Sequence, residues 1–221
     1  MLYIVATPIG NLEDITLRAL RILREVDVIV CEDTRMTQKL LKHYDISNQL
    51  FSWHANSSVR ELGQVLDWLS ERKKIALVTD AGTPGVSDPG MLLVKEVRDT
   101  LPDIDIYAIP GPSALTAAIS LSGVSLSQFV WLGFLPHKKG RQTLFAEIAE
   151  SDRPVIFYES PHRIMKTLES LSSYCSTKTV VIARELTKIY EEVLTGSPDE
   201  LLNILNENQE KQKGEFVIIV S

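Results

Sequence analysis

Apolar residues along this chain come in two rhythms: short, near-continuous runs, and longer stretches in which they recur every three or four positions. The runs at 2–5, 26–31, 74–79 and 104–109 predict strands rich in Val and Ile. Between them, 13–25, 34–44, 58–72 and 88–98 predict helices. Over 58–72, Val59, Leu62, Val65, Leu66 and Leu69 fall on one helical face. After Pro110-Gly111-Pro112-Ser113 the alternation resumes, with helices at 114–121, 141–149, 161–171 and 198–206. Strands are predicted at 129–132, 154–158, 178–183, 191–194 and 215–220. Such alternation implies an α/β protein whose mostly parallel sheets are covered on both faces. The Pro-Gly-Pro turn is the natural boundary, giving two α/β domains, 1–115 and 116–221. No internal repeat or low-complexity tract interrupts the pattern.

Composition narrows the class. The chain has 221 residues, 44% hydrophobic and 24% charged, which suits a globular fold with a sizeable core. No apolar run approaches the roughly 20 residues that a membrane helix needs. Met1-Leu2-Tyr3-Ile4-Val5 carries no basic region and runs into a Pro-Ile-Gly turn, so it reads as a first strand and not a signal peptide. Cys31 and Cys175, far apart in sequence, read as buried thiols. A cytoplasmic location follows. The four histidines (43, 54, 137 and 162) show no metal-ligand spacing, so no metal is expected. Net charge is −6, yet residues 135–188 hold nine Lys and Arg against six acids, and 189–221 hold two against seven. A basic middle permits a local phosphate track; a mixed solvated surface explains the same counts.

Loops at predicted strand ends carry the candidate chemistry, because α/β folds bind ligands there. Residues 78–90, VTDAGTPGVSDPG, lack the lysine of a phosphate-binding loop, since Met91 stands in its place. Pro84 likewise breaks a dinucleotide fingerprint, and Asp80 and Asp88 favour hydroxyls or a cation over phosphate. A plain Pro/Gly chain reversal remains the alternative. Thr7-Pro8-Ile9-Gly10-Asn11 and Ile109-Pro110-Gly111-Pro112-Ser113-Ala114 occupy equivalent strand ends, and three such loops together suggest one backbone-lined pocket.

Charged groups flank further strand ends. Cys31-Glu32-Asp33-Thr34-Arg35 and Ala183-Arg184-Glu185-Leu186-Thr187-Lys188 put acids and bases together, as an active site or as surface ion pairs. In Tyr158-Glu159-Ser160-Pro161-His162-Arg163, Ser160 is positioned to cap a helix starting at Pro161. His162 and Arg163 would then sit on its positive end as a phosphate seat, unless the Arg is incidental. Residues 135–141, LPHKKGR, form a basic loop that suits either nucleic acid or solvent.

The segments VATPIGNLEDITLRAL, CEDTR, VTDAGTPGVSDPG, IPGPSAL, GFLP, YESPHR and ARELTK, in this order, resemble the tetrapyrrole methylase superfamily. Within it they resemble the ribosomal RNA small subunit methyltransferase I group, from Met1 to the chain end. The resemblance implies S-adenosylmethionine as methyl donor, bound in a cleft between two α/β domains, and a homodimer. It further implies 2′-O-methylation of a decoding-region cytidine in 16S ribosomal RNA, with the RNA presented in the 30S subunit. A tetrapyrrole C-methyltransferase and a non-catalytic S-adenosylmethionine- or nucleotide-binding module are the alternatives.

By position, the resemblance places Pro8, Asp80, Gly82, Thr83, Val86, Ser113, Ala114, Tyr158, Ala183, Gly214 and Glu215 at the donor. Candidates for taking the ribose proton are Glu32, Asp33, Glu159 and Glu185, and Lys188 if its pKa is depressed. Arg35, Lys138, Lys139, Arg141, His162, Arg163 and Arg184 are the candidates for RNA phosphates. Many relatives continue past the 213–220 segment KGEFVIIV, whereas this sequence ends at Ser221, which would weaken any RNA grip that such a segment supplies.

Overall fold

The computed structural model of the chain describes residues 1–54 and 57–221. The chain divides into two compact units, Met1–Ser113 and Ala114–Ser221.

The first unit is a five-stranded sheet of β1 (Leu2–Val5), β2 (Val28–Cys31), β3 (Leu50–Ser52), β4 (Ile75–Leu77) and β5 (Ile106–Ile109). Its order is β3-β2-β4-β1-β5 and every pairing is parallel. Helices α1 (Leu17–Glu25), α2 (Thr34–His43), α3 (Val59–Ser70) and α4 (Gly90–Thr100) make the crossovers. The strands alternate their apolar side chains between two cores. Val5, Ile29, Cys31, Ala76 and Val78 pack with Leu20 and Leu23 of α1 and Leu40 and Leu41 of α2. Leu2, Val30, Ile75 and Leu77 pack with Val65 and Leu69 of α3 and Leu93 and Val97 of α4. Burial on both faces is why these strands read as unbroken Val/Ile runs. Strand β3 was not legible, being three residues long with an exposed Ser52. Of the predicted α3 stripe, Val59 stands outside the core, 88% exposed.

Side-chain caps start two of these helices. The Thr16 side chain accepts from the Ala19 N–H, and Ser58 forms a reciprocal capping box with Glu61. The predicted first helix is split, because a 3-10 turn at Leu12–Asp14 precedes α1.

The second unit begins with α5 (Ala114–Leu121), followed by β6 (Val130–Phe134), α6 (Arg141–Glu150), β7 (Val155–Glu159), α7 (Ile164–Tyr174), β8 (Val180–Arg184), β9 (Glu192–Gly196), α8 (Pro198–Glu207) and β10 (Phe216–Val220). Its sheet runs β6-β7-β10-β8-β9. Only β6 and β7 pair in parallel; the other three pairings are antiparallel. The mostly parallel expectation therefore describes the first sheet and is corrected for the second. There β8 and β9 are joined by a short turn instead of a helical crossover, and β10 inserts between β7 and β8 against both. One face packs Phe157, Ile182 and Ile218 against Phe145 of α6, Leu168 of α7 and Leu201 of α8. Both cysteines are buried free thiols. Among the described residues no helix is long and apolar enough to cross a membrane.

Candidate active site

In the first unit, the loops after β1, β4 and β5 are tied together by backbone. Thr7 and Gly82 form an isolated antiparallel bridge, with the Thr7 N–H donating to Gly82 O at 2.9 Å and the Gly82 N–H to Thr7 O at 3.0 Å. The Thr7 hydroxyl donates to Thr79 O at 3.1 Å, and the Thr83 hydroxyl to Pro112 O at 3.1 Å. Gly82 has φ +83°, and a Cβ there would lie 3.3 Å from Ile9 Cγ2 and 3.8 Å from Pro112 O. A side chain at this point would be strained by its φ and would crowd the place where the three loops approach one another. Gly82 and Thr83 thus belong to one knot; Pro8 follows Thr7 in sequence, the Val86 N–H donates to Thr83 O at 3.3 Å, and Asp80 is exposed.

Asp88 shapes the second half of the same loop. Its carboxylate accepts from the N–H groups of Gly85 at 2.7 Å, Val86 at 3.1 Å and Gly90 at 2.7 Å. The expectation that Asp88 offers its charge to a ligand is corrected: its oxygens face this loop's own backbone. Gly90 is the close neighbour this requires, since a Cβ there would fall 2.7 Å from Asp88 Oδ1.

Beside the knot, a small depression is lined by Glu32, Trp53, Thr79, Asp88 and Pro89, among others. Burial raises the Glu32 carboxyl above its ordinary range, and the charges of Asp80 and Asp88 push it further. Asp33 behaves oppositely. It pairs with the Arg35 guanidinium at 2.7 Å, caps α2 and accepts from the Arg35 N–H at 2.8 Å, which holds its pKa to about 2. Asp80 accepts from the Asp33 N–H at 3.0 Å, linking the end of β2 to that of β4.

In the second unit, Tyr158 and Ala183 both stand opposite Val217 of β10, so they flank it on the sheet face away from the α6–α8 core. Tyr158 packs edge-on to Trp131 at 4.6 Å and near Phe134 at 5.3 Å, at a bulge where Gly133 has φ +63°. Burial pushes its phenol up, against a hydrogen bond with the Leu115 backbone. Gly214 and Glu215 lead into β10, while Ser113 and Ala114 stand at the start of α5.

The turn after β8 is a charged lock. Lys188 Nζ donates to Glu185 at 2.8 Å and to Glu215 at 2.9 Å, and the Glu215 N–H donates to Glu185 at 2.9 Å. Burial alone would lower the Lys188 ammonium, but its two carboxylate partners raise it. Burial alone would raise Glu185, and the same bonds hold it low. A depressed, proton-accepting Lys188 is therefore corrected. Glu185 has φ +50° and Thr187 φ +65°, and a Cβ on Gly214 would strike Glu185 Cγ.

Three candidate phosphate ligands turn inward. Arg184 donates to Lys213 O at 2.6 Å, Glu210 O at 2.9 Å and Tyr190 O at 3.3 Å, pinning the segment before β10. Arg163 and Arg141 both engage Glu159, whose side chain is wholly buried. Their guanidiniums are spent internally, so these three positions are corrected as phosphate contacts. The expected Ser160 cap is also corrected: α7 starts three residues later, at Ile164, with Arg163 as the residue before it and no side-chain cap. Arg35, Lys138, Lys139 and His162 remain exposed. The Glu159 cluster, the bridging Thr7 and the keystone role of Asp88 went unread because their partners are set by packing, not by spacing.

A wholly parallel sheet with knotted loops at its strand ends, followed in the chain by a mixed sheet, defines an α/β protein of two units. The family described as Tetrapyrrole (Corrin/Porphyrin) Methylases matches residues 1–202. Ribosomal RNA small subunit methyltransferase I of Thermotoga maritima is 43% identical, covering 100% of this chain and 97% of its own length. The protein of the same name from Escherichia coli O157:H7 is 44% identical over 99% of this chain and 77% of its own length. Among solved structures, a cobalt precorrin-4 methyltransferase of cobalamin biosynthesis superposes with TM-score 0.70 at 18% identity, covering 99% of this chain and 93% of its own. Uroporphyrin III C-methyl transferase from Thermus thermophilus gives 0.66 at 16% identity, covering 99% and 96%. The chain belongs to the tetrapyrrole methylase family and, within it, to the group of its ribosomal RNA small subunit methyltransferase I relatives.

Proposed function

We propose that this chain transfers a methyl group from S-adenosylmethionine to the 2′-oxygen of a cytidine ribose in the decoding region of 16S ribosomal RNA. The observation that carries the reading is the 43–44% identity to relatives of that name across essentially the whole chain. The solved neighbours, at 16–18% identity, support the fold alone. We further propose a cytoplasmic homodimer acting on the 30S subunit. Val130 and Phe134, 36% and 55% exposed on the edge strand β6, support an association surface.

The first unit's residues fit the donor. Residues 78–90 contain no Lys or Arg, and the exposed Asp80 together with Glu32 makes the neighbourhood negative. That suits a cation and opposes a triphosphate. When bound, S-adenosylmethionine supplies an electrophilic methyl on a positively charged sulfur. Pro8, Gly82, Thr83 and Val86 would hold it through the backbone knot, with Asp80 as the carboxylate facing its charge. From the second unit, Tyr158, Ala183, Gly214 and Glu215 remain proposed donor contacts, as do Ser113 and Ala114.

Burial and the charges of Asp80 and Asp88 push the Glu32 carboxyl upward. A base poised nearer neutral pH accepts a hydroxyl proton more effectively, so Glu32 is assigned that role. Asp33 and Glu185 are held low by their cationic partners, and Glu159 is enclosed by two arginines. Arg35, Lys138 and Lys139 supply the exposed charge for RNA phosphates, and His162 an exposed imidazole.

Titration with S-adenosylmethionine, followed by assay of labelled methyl transfer to 30S subunits and to a porphyrinogen, tests the reading. Binding with transfer to the subunit alone is expected. Transfer to the porphyrinogen alone would favour a carbon methylase, and binding without transfer to either would favour a sensor.

A further inference from the structure

We propose that Glu159, Arg141, Arg163 and Thr167 form one positioning device that sets the shape of the basic loop at 135–140. The inference rests on the reading of that loop as an RNA contact. Every acceptor on the Glu159 carboxylate is used. Oε1 receives the Ser160 N–H at 2.8 Å and Arg163 Nη2 at 2.7 Å. Oε2 receives the Thr167 hydroxyl at 2.6 Å and stands 3.4 Å from Arg141 Nη2, which itself donates to Thr167 Oγ1 at 2.7 Å.

Each arginine then reaches past the carboxylate to the loop. Arg163 Nη1 donates to Leu135 O at 2.8 Å, and Arg141 Nη1 donates to Pro136 O at 3.2 Å. Two consecutive carbonyls at the loop's start are therefore fixed to one buried charge. The far end is closed by the Arg141 N–H donating to Lys138 O at 3.3 Å, with Gly140 at φ +80° making the turn. Between these anchors His137, Lys138 and Lys139 are exposed.

A carboxylate with 0% side-chain exposure beside two guanidiniums at 14% is a costly way to gain stability. Apolar residues of similar volume would serve as well or better, so the arrangement is explained by the geometry it imposes. It aims two lysines without touching what they touch.

Thr167→Val removes the bridging hydroxyl at constant shape, Glu159→Gln removes the charge, and Thr167→Ser is the rescue. The expected result for Thr167→Val is faster exchange of the Arg141 amide, which closes the loop onto Lys138 O, and a KM for 30S subunits raised about tenfold. Its kcat and S-adenosylmethionine affinity stay within about twofold, and Thr167→Ser restores both loop and KM. A folded Thr167→Val protein with unchanged exchange, or with faster exchange but unchanged KM, overturns the proposal; so does a fall in kcat with KM intact. Glu159→Gln repeats the comparison if Thr167→Val does not fold. The double variant Lys138→Ala/Lys139→Ala separates the two claims. If it leaves KM unchanged, the RNA reading of the loop fails, whereas the exchange data still judge the device.

Discussion

Glu32 and Asp88 show how adjacent carboxylates acquire different tasks. Asp88 is saturated by three backbone N–H groups, so it builds the loop. Replacing it by Ala should cost about 1–3 kcal/mol in a denaturant titration and weaken donor binding about tenfold by calorimetry. Glu32 is raised by burial and by its acidic neighbours. Glu32→Gln should slow single-turnover methyl transfer by about 10²–10⁴-fold while donor affinity stays near wild type. Its effect on stability has a defined sign. A carboxyl raised in the folded state keeps its proton longer than in the unfolded chain, so folding loses stability as pH climbs above the ordinary value of 4.5. Glu32→Gln should therefore melt higher than wild type at pH 7, with the gain vanishing below about pH 4.5. The sequence offered Glu32 only as one of several candidate bases and Asp88 only as a negative loop charge; their neighbours distinguish them.

At the scale of elements, the strand-end loops were legible because Pro and Gly cluster at 8–10, 82–90 and 110–112, immediately behind apolar runs. Their backbone knot was not, since the Thr7–Gly82 bridge joins residues 75 positions apart in number. Most strands and helices were legible from periodicity, whereas the Ser58 and Ser197 capping boxes emerged only in the structure. The direction of β8, β9 and β10 was not, because an apolar strand reads the same whichever way its neighbour runs. The lock after β8 gives a further test. Gly214→Ala forces a side chain into left-handed backbone at φ +100° and onto Glu185. A loss of about 1–3 kcal/mol in chemical denaturation is expected. Glu185 carries the opposite pH signature to Glu32: its stabilisation, present above its ordinary value, fades as pH falls through its lowered one.

For the molecule as a whole, a net charge of −6 would argue against RNA, and the local distribution matters more. Counting arginines in the basic middle overstated the usable charge, because Arg141, Arg163 and Arg184 serve internal partners. The exposed cations should carry the subunit interaction. Arg35→Ala/Lys138→Ala/Lys139→Ala should weaken 30S binding and leave donor affinity unchanged. The salt slope of that binding should fall by about one for each phosphate that the variant no longer neutralises. The chemistry is tested most directly on 30S subunits that lack the methyl group. They would be incubated with labelled S-adenosylmethionine, digested to nucleosides and mapped by mass spectrometry. The account predicts label on the 2′-oxygen of a single cytidine in 16S RNA; label on a base carbon, or none on the RNA while a porphyrinogen is methylated, would contradict it.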